Sequence, residues 1–170
     1  MSASTASSDA DGVAATSRNR ESHATRLLDI TELLEGRTHA VGVLETAGGL
    51  LRRRFDAEIV GSWTGAAFTL RERFTLDDGS VERRTWQVRR ASGGEIVATA
   101  SDVVGEAIGQ SGPGSFRMRY VLKVKVRGWT LPISFDDRIY AMPDGTALNR
   151  ATLRFLGIRV GELTFHFRKT

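Results

Sequence analysis

The chain has no cysteine. That removes disulfides, a cysteine-based zinc site, a thiol nucleophile and a lipid-bearing cysteine from consideration. No apolar run approaches the roughly 18 residues that a membrane-spanning helix needs. Lysine is nearly missing as well: Lys123, Lys125 and Lys169 stand beside 21 arginines. Such a bias follows genomic base composition more than function. Against 20 acidic residues the balance is +4, too mild to imply nucleic acid by itself. The 18 glycines are spread over turns, and Gly105-Glu106-Ala107-Ile108-Gly109 has no helix after it, so no phosphate-cradling loop is present. No Ser, His and Asp stand in a catalytic arrangement. His23, His39 and His166 have neither a cysteine nor a carboxylate cluster to complete a metal site. They read as solvated or packed side chains, and neither a metal nor a cofactor is expected.

The 170 residues allow one domain, with or without a tail. Residues 1–26 differ from the rest. Fifteen of them are Ala, Ser or Thr, none is aromatic, and their charges cancel. So little apolar surface cannot offset the entropy of ordering, so a disordered tail is expected there. The segment has no basic start and no apolar core of a secretory signal. All 13 aromatics and the whole +4 fall in residues 27–170. That length can bury roughly two thirds of its unfolded surface. Leu27 to Gly36 has helical spacing and ends in Gly, which predicts a short helix leading into the first strand.

From Thr38 onward the pattern has period two, broken by Gly-containing turns. This predicts an all-β, antiparallel up-and-down barrel of about ten strands, since a sheet that long curls and closes. The turns set the register, and the register decides which polar residues face inward. Asp77-Asp78-Gly79 fits a three-residue loop. It places Leu70 opposite Trp86 and Glu72 opposite Arg84, an inward carboxylate across from an inward guanidinium. Reading Gly128-Trp129 as a two-residue turn places Leu122 opposite Phe135 and Tyr120 opposite Asp137. Pro143-Asp144-Gly145 places Asp137 opposite Ala151, Ile139 opposite Asn149, and Arg138 opposite Arg150 on the outside. The last hairpin turns at Leu156-Gly157. Val160 and Phe165 have opposite parity, so a bulge near Gly161 is required for both to face inward.

Glu72, Arg84, Trp86, Tyr120, Asp137 and Asn149 thus form a polar set on an apolar inner face. Buried charge is unfavourable unless paired. The set is either a self-satisfied network or a ligand site, in which Arg84 offers a planar fork to a carboxylate or phosphate. Nothing in the sequence brings Glu72 and Asp137 together. Outside, Arg117, Arg119, Lys123, Lys125 and Arg127 share one strand face, and Arg52-Arg53-Arg54 stands elsewhere. The stripe is a solvated, edge-protecting face or a weak contact for anionic phospholipid. It lacks the exposed aromatics of single-strand binders, so no nucleic-acid partner is expected.

Several segments together resemble a known family: Gly61-Ser62-Trp63-Thr64-Gly65, Leu70-Arg71-Glu72-Arg73-Phe74, Arg84-Thr85-Trp86, Asp102-Val103-Val104-Gly105-Glu106-Ala107, Asp136-Asp137-Arg138-Ile139-Tyr140 and Leu148-Asn149-Arg150-Ala151. Over about residues 28–168 the chain resembles domain-of-unknown-function family 3833, bacterial proteins often described as lipoproteins. The resemblance implies a lipocalin-like (calycin-type) barrel, assigns no activity, and points toward a lipophilic ligand. Members described as lipoproteins carry a signal peptide and a lipidated cysteine, and neither stands in this sequence. A cytoplasmic location, or one peripheral to a membrane, is the expectation.

The leading expectation is a non-enzymatic barrel that holds a small lipophilic or acidic molecule in its interior. One alternative is an isomerase or cyclase of lipid or polyketide metabolism, with Glu72 or Asp137 as base and Arg84 stabilising an enolate. Its mark would be a carboxylate that lines an open pocket without an ion-pair partner. Another is a peripheral membrane module acting through the basic stripe. Whether the interior is hollow or packed, and how many copies assemble, the sequence leaves open.

Overall fold

In the computed structural model, residues 26–170 are described. The tail expected over residues 1–26 lies, apart from Arg26, outside the described residues. Asp29 begins the helix by accepting hydrogen bonds from the Thr31 backbone N–H (3.0 Å) and hydroxyl (2.7 Å), as an N-cap does. Helix α1 spans only Ile30–Leu34, less than the Leu27–Gly36 expected. Leu27 and Leu28 instead extend against the turn at residues 112–113: the Leu28 N–H donates to the Gly112 carbonyl at 3.0 Å, and Leu27 bridges Pro113. Once those backbone groups bond outward, they cannot start the helix.

Ten antiparallel strands follow: β1 Gly36–Thr46, β2 Leu51–Thr64, β3 Ala67–Leu76, β4 Val81–Arg90, β5 Ile96–Thr99, β6 Ala107–Gly112, β7 Ser115–Val126, β8 Trp129–Ala141, β9 Ala147–Phe155 and β10 Ile158–Lys169. Each pairs with its sequence neighbours, and β1 pairs with β10, so the sheet is a closed up-and-down barrel. The expected all-β, lipocalin-like barrel is the fold. Closure leaves no strand edge to template association.

Two of the three registers read from turns agree with the structure. Across β3–β4, Leu70 pairs Trp86 and Glu72 pairs Arg84. Across β8–β9, Asp137 pairs Ala151, Ile139 pairs Asn149 and Arg138 pairs Arg150. The β7–β8 register differs. Its turn is Arg127-Gly128, both with positive φ (49° and 85°), so Val126 pairs Trp129 and Tyr120 pairs Phe135 rather than Asp137. A two-residue hairpin turn with positive φ at both positions matches the twist of the strands, and Gly128 serves as its second residue rather than its first. The slip moves the pairing without changing parity, so the inward set survives. Tyr120 now stacks on Phe135, ring centroids 5.1 Å apart. In the last hairpin the register shifts between Arg159 and Gly161, the bulge that the parity of Val160 and Phe165 required.

In an up-and-down barrel, alternate turns lie at opposite ends. At one end α1 lies across the opening, with Ile30 and Leu34 buried in the core. Gly61 makes this approach possible: a Cβ there would overlap the Leu34 carbonyl oxygen and stand 2.6 Å from Phe68 Cζ. The Asp29–Arg90 ion pair ties the helix start to β4. The other end, formed by the β1–β2, β3–β4, β5–β6, β7–β8 and β9–β10 connections, has no such plug.

Candidate functional site

The interior is hollow. A cavity of about 500 Å³ runs from Ile30 and Leu34 at the plugged end to Thr46, Arg52, Leu76, Val126 and Val160 at the open end. That volume lies within the range of small-molecule sites, roughly 300–1,000 Å³. One wall is apolar. Phe55 meets Phe165 edge-on at 4.6 Å and Phe74 at 5.8 Å, Phe165 stacks on Phe167 at 5.7 Å, and Leu44 and Leu163 complete the surface.

The adjoining wall carries the polar set, and all six residues singled out from the sequence line the cavity. Glu72 sits 3.7 Å from Arg84 as an ion pair and accepts a hydrogen bond from Trp86 Nε1 at 3.0 Å. Arg84 also lies over the Trp86 ring, 5.7 Å from its centroid, within cation–π range. Trp86 meets Tyr120 edge-on at 5.3 Å. Further along, Asn149 Nδ2 donates to Asp137 Oδ1 at 3.3 Å.

One member was absent from the sequence reading of the site. Arg84 Nε donates to Asp102 Oδ2 at 2.9 Å and Oδ1 at 3.2 Å. Asp102 comes from the β5–β6 connection, which folds back along β7: its carbonyl accepts from the Lys123 N–H, and the Val104 N–H donates to the Val121 carbonyl. No hairpin rule gives the register of such a connection. The only signal was Asp102 heading one of the segments that carry the family resemblance. Arg84 therefore has two carboxylate partners and is occupied by its own protein. Glu72 and Asp137 line the same cavity without a hydrogen bond between them, and the Asp137 charge is one of the influences that raise the Glu72 carboxyl.

The electrostatics follow from burial. Asp137 is 5% exposed, and loss of hydration pushes its pKa from 3.8 up to about 6, against the lowering effect of hydrogen bonds with Tyr120 and Asn149. Burial also raises Glu72, with Arg84 and Trp86 opposing. The Tyr120 phenol is raised by burial and then by the Asp137 charge. Arg84 is held in its charged form by Glu72 and Asp102 despite burial. No ion pair involves Asp137 among the described residues, and it lines the cavity. Asn149 Oδ1 is buried and accepts no hydrogen bond, an acceptor left open where such groups are ordinarily satisfied.

Outside, the stripe Arg117, Arg119, Lys123, Lys125 and Arg127 is exposed along β7 and the turn after it. Arg117 is engaged by Asp136 through two bonds of 2.7 and 2.6 Å. On the β1–β2 face, His39 Nε2 lies 2.6 Å from Asp56 Oδ2. His166 pairs with Val41 across the barrel closure.

The model of a family described as protein of unknown function (DUF3833) matches residues 10–169. The chain belongs to this family. No curated protein matches the sequence. Among solved structures, the barrel is similar to an S-type phycobiliprotein lyase from Guillardia theta, with a TM-score of 0.58, 10% identity, and coverage of 81% of this chain and 87% of that one. At that identity the likeness shows the fold alone. The DUF3833 barrel described here is thus a hollow lipocalin-like vessel with one plugged end and one polar wall.

Proposed function

We propose that this DUF3833 protein is a binding barrel for a small, mainly apolar molecule whose polar end donates a hydrogen bond. The observation that carries this reading is Asp137, a cavity-lining carboxylate with no ion-pair partner among the described residues, which sits beside Asn149 in a cavity otherwise walled by Phe55, Phe74 and Phe165. A hydroxyl or amine fits that wall. An acidic head group does not, because Arg84 is already bound by Glu72 and Asp102, and the remaining charge is negative. The acidic half of the sequence expectation is therefore set aside in favour of the lipophilic half.

The test uses protein purified from its own host by native mass spectrometry, followed by thermal shifts with a fatty alcohol and the fatty acid of equal chain length. A bound apolar species, and a larger stabilisation by the alcohol, are expected. A protein that emerges empty and responds to neither probe removes the reading.

A second reading has one specific observation in its favour. Asp137 is a cavity carboxylate without an ion-pair partner, raised to about 6, which is the range of a general base. With the Tyr120 phenol beside it, proton transfer at carbon is the chemistry such a pair could support. Deuterium exchange into a cavity-sized enone by wild type, and its loss in Asp137→Asn, would favour this reading. No exchange with a probe shown to bind would end it.

A further inference from the structure

The plain end of the barrel has an unusual composition. Turns at a solvent-facing end are ordinarily polar, with Asn, Asp or Gly at positions of positive φ. Here three adjacent connections carry large apolar side chains at their tips. Leu50 is 63% exposed in the β1–β2 turn, Trp129 75% after the β7–β8 turn, and Leu156 and Ile158 82% and 72% in the β9–β10 turn. Pairing makes these tips neighbours. β1 pairs β10 out to Thr46–Gly161, and the Ala47 N–H donates to the Val160 carbonyl at 3.1 Å. β8 pairs β9 on the other side as far as Ser134–Arg154, so the β7–β8 tip with Trp129 projects beyond the β9–β10 turn. The tips form one arc of the cavity mouth.

Leu156 adds a second, independent observation. It has φ of 50°, a conformation in which a branched side chain is strained and Asn is comfortable. The adjacent hairpin does likewise with Arg127, φ 49°. Both turns have the X-Gly form that strongly favours Asn-Gly. Each holds instead a side chain that turn geometry disfavours, one apolar and one cationic, at the outermost point of the mouth. Strain of this kind persists where the displayed side chain serves a contact.

The charge around the arc is mixed, with Glu45 on β1 at the mouth, but the side chains without a partner are mainly cationic. Arg52, Arg54, Lys125 and Arg127 stand beside the tips with no carboxylate partner among the described residues, whereas Arg53 is held by Asp78 at 2.7 Å and Arg159 by Glu162 at 2.7 Å. The acidic turn Asp77-Asp78 at β3–β4 abuts the β2 flank of the arc, where Asp77 Oδ2 accepts from the Arg54 backbone N–H at 3.1 Å, so the excess of unpaired cations is greatest on the Arg52 and Lys125–Arg127 side. Apolar tips flanked by cations match an anionic bilayer: the tips enter the headgroup boundary, and the cations meet lipid phosphates. We propose that the protein docks mouth-first on anionic phospholipid membranes through Leu50, Trp129, Leu156 and Ile158, with Arg52, Arg54, Lys125 and Arg127 as the electrostatic ring. This surface is distinct from the middle of the β7 stripe, and it does not depend on what the cavity holds. It would bring the open mouth against the lipid.

The experiment is co-sedimentation of the full chain with vesicles of phosphatidylcholine alone and of phosphatidylcholine with phosphatidylglycerol, at low and physiological salt. Two variants accompany it. Leu156→Asn with Ile158→Thr removes apolar tips while giving the turn a residue suited to its φ, so melting temperature should hold or rise. Arg52→Gln with Lys125→Gln removes part of the ring. Wild type should bind the anionic vesicles, more strongly at low salt. The tip variant should bind roughly tenfold more weakly at both salts, and the ring variant should lose mainly the low-salt gain. Absence of binding to anionic vesicles overturns the proposal. So does binding unchanged in the tip variant, or a stable dimer in sedimentation velocity that the tip variant dissolves.

Discussion

Asp137→Asn is predicted to stabilise the protein at neutral and alkaline pH and to do little at pH 4. The carboxyl is buried on an apolar face beside Tyr120 and Asn149, with a folded pKa of about 6 against an ordinary 3.8. A raised folded pKa means that the native state holds the proton more tightly than the unfolded chain does. The stability linked to this group is fully present below pH 3.8, is lost as pH rises toward 6, and is gone above it. At 1.36 kcal/mol per pH unit the loss is about 3 kcal/mol at pH 8. Asparagine keeps the shape and an acceptor for Asn149 Nδ2, and it never ionises. Urea denaturation of both proteins at pH 4, 6 and 8 should give a difference that grows from near zero to about 3 kcal/mol in favour of the variant, or on the order of 10 °C in Tm. A variant less stable than wild type by the same amount at every pH would refute the reasoning. It would mean that the carboxylate is bonded well enough to offset its burial.

Two further substitutions probe the same framework. Trp86→Phe removes the N–H that Glu72 accepts at 3.0 Å and should destabilise by about 1–3 kcal/mol. Because that bond favours the ionised carboxylate, the loss should be larger at pH 8 than at pH 4, which paired denaturation curves would show. Gly61→Ala drives a methyl into the Leu34 carbonyl. It should destabilise by about 1–3 kcal/mol and loosen α1, so that limited proteolysis cuts near residues 27–35 before the barrel. Uniform resistance there would mean that the helix is not held by this contact.

Several parts of the site could be read from the residues because they depend on neighbours close in sequence. The Asp77-Asp78-Gly79 loop leaves little choice of pairing, so Glu72 opposite Arg84 was legible. Around Gly128 two turns satisfy the same glycine, and the sequence reading took the one that pairs Tyr120 with Asp137. The observed turn tolerates a strained Arg127, which composition rules do not favour. The tips Leu156 and Ile158 were overlooked for a related reason. Residues in turns belong to neither face of a strand, so alternation says nothing about where they project.

Period-two alternation and the placement of Gly in turns determined, without any coordinates, that this chain forms about ten antiparallel strands with Glu72, Arg84, Trp86, Tyr120, Asp137 and Asn149 on the inner face. Those are local properties of a pleated chain. Only the tertiary structure decided which inner residues meet. Closure of β1 on β10 brings β3, β4, β7, β8 and β9 around one cavity, folds Asp102 in from an irregular connection to occupy Arg84, and leaves Asn149 Oδ1 without a donor. It also set the hollow: α1 plugs one end through the space that Gly61 leaves, and the aromatic rings line the wall without filling the centre. Contacts across a barrel join residues far apart in sequence, and their identity follows from the curvature and shear of the whole sheet rather than from any one strand.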